Sequence, residues 1–134
     1  MNIAYRRKID FKSEQGQSLT EFALALPILA LLLFAVIQFG IAFNNYVTLT
    51  DATRAGARKA AVSGKDPNPA NTCVTAIRGS AKDMNQSDLQ PNCTSTWQPG
   101  ADVTVTATYP YKISLLGLVV KTGRLSSTTT ERVE

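Results

Sequence analysis

Catalysis needs a positioned nucleophile or an acid–base pair, and this chain is poor in both. Its 134 residues include no histidine and two cysteines, Cys73 and Cys93. The carboxylates beyond residue 64 are Asp66, Asp83, Asp88, Asp102, Glu131 and Glu134, at no recognisable spacing. No glycine-rich phosphate loop follows a strand. The cysteine spacing fits no metal-site pattern, and there is no histidine to complete one. No enzymatic activity is therefore expected, nor any catalytic, metal or cofactor site. The expected chemistry is done to this chain rather than by it. One carboxylate stands apart. Glu21 directly precedes residues 22–43, a run of 22 residues without Lys, Arg, Asp or Glu. A charged side chain costs about 2.5–3.5 kcal/mol at the centre of a bilayer and less near its edge. Glu21 is thus either an interfacial side chain without a role or a group that requires a positive partner.

The element that positions Glu21 is a helix. At 1.5 Å per residue, 22 helical residues span roughly 33 Å, enough to cross a bilayer core. A lone segment in lipid must satisfy its own backbone, which a helix does. Ser18 or Thr20 is placed to cap its first turn. Pro27 removes one backbone hydrogen bond and should bend the helix. No breaker follows Phe43: residues 44–62 contain no proline, and Gly56 is their one glycine. Ala52, Gly56 and Ala60 recur every four residues as a small-residue face, which either admits a close neighbour or reflects plain helix propensity. Arg58 and Lys59 suit the last turn, and Gly64 suits the position just beyond it. One helix from about residue 20 to 63 is expected, its first half in lipid and its second half packed on an outer domain.

The rest reads as a small α+β unit. Lys65-Asp-Pro-Asn-Pro69 is a loop, after which Asn71 or Thr72 can cap a second helix carrying the stripe Val74, Ile77, Ala81 and Met84. Residues 94–97 form a short candidate strand, and Pro99-Gly100 a turn. Val103, Val105, Ala107 and Tyr109 alternate with threonines, the period of a half-buried antiparallel strand. Residues 125–133 form another. Apolar residues 113–120, with Gly117 among them, are a hairpin limb, a loop packed on the helix or a partner surface. The fold class is α+β: a long N-terminal helix, transmembrane in its first half, packed on a small domain with a short helix and an antiparallel sheet.

Charge sets the topology. The chain carries +4 from 14 basic and 10 acidic residues. Residues 1–16 supply +2 of it through Arg6, Arg7, Lys8 and Lys12 against Asp10 and Glu14. The remainder is too weak and scattered to argue for nucleic acid. Basic flanks stay in the cytoplasm, so the N-terminus is expected inside and the C-terminal domain outside. A secretory signal peptide has a shorter apolar run and a small-x-small cleavage site after it; a plain signal anchor is the nearer competitor. Facing an oxidising space, Cys73 and Cys93 are expected to form a disulfide, with two unpaired buried thiols as the alternative.

Gly16-Gln-Ser-Leu-Thr-Glu-Phe22 before an apolar helix resembles the processing site of type IV pilin-like proteins. Glu-Phe-Ala-Leu-Ala-Leu-Pro at 21–27, Gln38-Phe39-Gly40 and Ala52-Thr-Arg-Ala-Gly-Ala-Arg-Lys-Ala-Ala-Val62 are similar to the TadE-like family of the tight-adherence (Tad/Flp) system. The resemblance covers residues 16–62. It implies a minor pilin or pseudopilin needed for pilus assembly, in the bacterial cytoplasmic membrane, where it either remains as an assembly factor or enters the pilus. It implies cleavage by a prepilin peptidase between Gly16 and Gln17, with Glu21 and Phe22 becoming mature positions five and six. In the family the equivalent of Glu21 is thought to neutralise the N-terminal amine of a neighbouring subunit. The partners implied are the peptidase, other pilin-like subunits, the assembly platform and the lipid bilayer. The chain then divides into a cytoplasmic leader peptide (1–16), a transmembrane helix (17–43), its continuation (44–64) and a small extracytoplasmic α+β domain (65–134). A single-pass anchored module whose outer domain captures a ligand is the reading from a different class.

Overall fold

The computed structural model describes residues 14–115 and 117–134. Most of the leader and Leu116 of the apolar stretch 113–120 lie outside the described residues. Helix α1 (Glu14–Ala61) has 48 residues, roughly 72 Å at the usual rise. Helix α2 (Pro69–Ser80) follows, then strands β1 (Gln90–Thr94), β2 (Asp102–Leu115) and β3 (Leu118–Arg132). The strands form one antiparallel sheet in the order β1-β2-β3. The α+β architecture matches the expectation from sequence.

Several boundaries differ, each for a physical reason. Helix α1 starts earlier than Ser18. Thr20 does not cap it; its hydroxyl donates to the Gly16 carbonyl at 2.9 Å, which is how a threonine behaves inside a helix. At the other end Gly64 does not adopt the left-handed conformation expected of it. The Ser63 N–H and hydroxyl both reach the Ala60 carbonyl at 3.1 Å, and the Ala61 carbonyl accepts the Glu134 N–H at 2.9 Å. Gly64 is small because a Cβ there would sit 2.8 Å from Val133 Cγ1. Helix α2 is capped by Asn68 rather than by Asn71 or Thr72: the Asn68 side chain accepts the Asn71 N–H at 3.1 Å, with Pro69 opening the helix. Proline at the first position loses no hydrogen bond and is preset for helix. Thr72 instead donates to Asp66 at 3.1 Å.

The core lies where the second half of α1 meets α2 and the sheet. Leu49, Ala52, Ala57 and Ala60 of α1 are buried, as is Cys73. Of the expected helical stripe, Ile77, Ala81 and Met84 are buried and Val74 is half-buried, but α2 ends at Ser80, so Ala81 and Met84 pack from the turns beyond it. Val103, Val105 and Ala107 of β2 face inward as the alternation requires. On the outer face, Thr106 and Thr128 hydroxyls pair across the strands at 3.1 Å. Inside, the Thr53 hydroxyl meets Ser127 at 3.0 Å and also bonds the Thr50 carbonyl. Buried hydroxyls need such partners. Gly56 sits at the helix crossing, and a Cβ on it would overlap Ile77 Cγ1.

Strand β1 lies at 90–94, not at 94–97, and it includes Pro91. Proline is tolerated there because β1 is an edge strand. Its Cys93 pairs in register with Val105 and is joined to Cys73 by a disulfide across 20 residues. Residues 113–120 form the end of the β2–β3 hairpin, the first of the three alternatives. Gly117, at φ +85°, makes the turn that an L side chain would strain.

Two variants test this packing. Gly56→Ala should gain about 1 kcal/mol of helix propensity and lose about 1–3 kcal/mol to overpacking. It should therefore unfold at lower urea, whereas Gly79→Ala, whose Cβ meets nothing, should not. Cys73→Ser should cost about 3 kcal/mol, the chain-entropy value for a loop of this size, measured by urea unfolding in detergent; an unchanged midpoint would show that the bridge is dispensable.

Candidate functional site

Between Leu19 and Phe43 helix α1 buries no side chain. Ala30, Ala35, Gln38 and Ala42 are half-buried and the others are exposed. The first buried residue along the helix is Leu49. Asn44 and Asn45 separate the two regimes: apolar and uncovered before them, packed on the outer domain after them. Leucine and phenylalanine occur on every side of the uncovered part, including Leu24, Leu29, Leu33, Phe34 and Phe39. A helix apolar all round is stable only when surrounded by apolar matter. By length and composition α1 can cross a membrane.

The site residues cluster at the start of this helix. The Gly16–Gln17 peptide bond lies in the first turn, and both residues are exposed. The Gln17 side-chain amide donates to the Glu21 carboxylate at 3.1 Å, one turn on. Among the described residues no cation pairs with Glu21. Phe22, next to it, is exposed. Pro27 lies within α1, which runs through it as a single helix; its ring leaves the Ala23 carbonyl without the usual donor. Gly16, Gln17, Glu21 and Phe22 are thus brought together within two helical turns, and Pro27 stands about a turn further on. Cys73 and Cys93 are far along the chain and serve the outer domain.

Sequence reasoning left the second feature of this region open among three alternatives. The β2–β3 hairpin extends alongside α1 toward the uncovered segment. Phe39, Ala42 and Tyr46 of α1 face Tyr111, Ile113, Lys121 and Arg124 across a groove of about 490 Å³. The signal available was Lys112, Lys121 and Arg124 flanking an apolar stretch, but nothing in the spacing said that the stretch would lie beside the helix.

Residues 16–58 match the family model described as TadE-like protein. The match begins at Gly16, takes in the uncovered helix and most of its packed continuation, and leaves α2 and the sheet unmatched. This segment is similar to the TadE-like family, and the match covers about a third of the chain. Neither the curated proteins nor the solved structures gave a match.

Proposed function

We propose that the protein is a minor pilin or pseudopilin required for assembly of a tight-adherence pilus, and that it acts as a subunit rather than an enzyme. The observation that carries this reading is the uncovered apolar length of α1 with a single carboxylate, Glu21, one turn beyond Gln17. An anchor alone has no use for that carboxylate. A helix that packs among like helices does, once cleavage after Gly16 creates a positive amine on a neighbour. A carboxylate desolvated in such a bundle is tolerable only when paired. In the uncut chain its partner is the neutral Gln17 amide, a weaker partner than a cation. The leader stays in the cytoplasm, the outer domain outside, and the subunit meets the prepilin peptidase, other pilin-like subunits and the assembly platform.

Two measurements test the proposal. In cells with an active prepilin peptidase, the membrane form should have the mass of a chain beginning at Gln17, and replacing Gly16 with a bulky residue should leave the precursor uncut. Purified mature protein that still carries residues 1–16 would end the pilin reading. Glu21→Leu should leave membrane level and cleavage unchanged but abolish pilus production and co-purification of pilin-like partners. Normal assembly at normal protein level would favour the anchored binding module instead.

A further inference from the structure

The tip of the β2–β3 hairpin lies level with the apolar part of α1. Contacts along the helix fix this alignment: Glu134 at Ala61, Ser127 at Thr53, then Ile113 and Lys121 opposite Phe39 and Ala42. Ile113 and Lys121 are themselves a register pair. The hairpin continues past that pair to a turn at Gly117, with Leu115 paired to Leu118. At 3.3 Å per residue this adds roughly 7–10 Å, or about five helical residues further toward the N-terminus. The tip therefore stands beside residues that the membrane reading of α1 places in lipid.

Its composition suits that position. Leu118, Val119 and Val120 are 75%, 61% and 65% exposed and contiguous. Lys112, Lys121 and Arg124 lie directly behind them, and residues 109–126 contain no acid. Tyr46 and Tyr111 line the groove at the same level. An apolar tip, a basic collar and nearby tyrosines are the arrangement of an element seated at a membrane surface. We propose that the hairpin tip enters the outer leaflet of the membrane that α1 crosses, with its apolar residues at the headgroup–acyl boundary and its three cations among anionic lipid phosphates. The open edges of a two-stranded ribbon cannot enter hydrocarbon. This seating therefore sets the outer edge of the hydrocarbon near residue 36 of α1, about five residues inside the level of Phe39 and Ala42, rather than at Phe43. A second pilin-like subunit is the competing occupant of an exposed apolar tip. Among the described residues these cations form no ion pair, and cations at headgroup level favour lipid. The inference rests on α1 spanning the membrane, and its test separates the two.

The test uses the full chain in phosphatidylcholine–phosphatidylglycerol vesicles, labelled with a polarity-sensitive fluorophore at one introduced cysteine. The variants are Val119→Cys at the tip, Leu29→Cys in α1 and Thr104→Cys on the exposed face of β2, with mass spectrometry confirming that the native disulfide is intact. Label at 119 should brighten several-fold, shift to the blue and be quenched by lipids carrying a nitroxide on the upper acyl chain, as should label at 29 with a deeper nitroxide. Label at 104 should report water. A watery signal at 119 with a lipid signal at 29 would overturn the hairpin proposal and leave the anchoring reading standing. Water at both sites would overturn both. A shielded label at 119 that lipid nitroxides do not quench would mean that protein, not lipid, covers the tip.

Discussion

The outer domain depends on one contact, the approach of α2 and the sheet to the small-residue face of α1. Between Leu49 and Ala60 that face offers alanines, Gly56 and the hydroxyl of Thr53, all buried. Small side chains let Ile77 sit almost on the helix backbone at Gly56. The same smallness limits what each residue contributes, since burial stabilises by about 25 cal/mol per Å² of apolar surface. A domain of this size with an alanine-rich core needs other ties. It has the disulfide between α2 and β1, the Thr53–Ser127 hydrogen bond between α1 and β3, and the closing bond from Glu134 to Ala61. Each joins the helix or its partners to the sheet at a different height.

The two halves of α1 solve opposite problems with one backbone. The first half carries large, exposed apolar residues, with the hairpin beside its last turns; the second carries small residues and a full set of neighbours. The change falls at Asn44 and Asn45, without a break in the helix. A continuous helix transmits orientation from one half to the other, so the outer domain is held to the axis of the uncovered segment rather than tethered to it by a linker.

What was legible in the sequence followed local rules. The uncharged run of residues 22–43, the alternation at Val103, Val105 and Ala107, and the Gly16–Phe22 motif each declare themselves within a few residues. Pairing of Cys73 with Cys93 followed from counting and compartment. The misses came from residues with two uses. Asn68 and Thr72 are both good caps, and the proline at 69 decided between them. Pro91 falls inside β1, just before the stretch expected to be a strand, and its edge position makes it harmless. Gly64 looked like a helix terminator but answers to Val133, a neighbour from the far end of the chain. The apolar stretch 113–120 has no period to read, and its place beside α1 is set by the whole length of β3. Near Glu21 the residues were legible, and their surroundings were not.

The pairing of Thr53 with Ser127 spans 74 residues of sequence, and that distance is also an interval of time. A ribosome adding about 5–20 residues per second needs roughly 4–15 s to make the intervening chain. Helix α1 emerges first, yet its inner face is completed last, when β3 arrives with Val133 and Glu134. Throughout that wait the uncovered half can already reside in lipid, while the inner half stands in water without its partners. Alanine and glycine make the wait tolerable, because a face of small residues exposes little to attract other unfinished chains. A leucine-rich face would bury more in the finished fold and aggregate more readily before it.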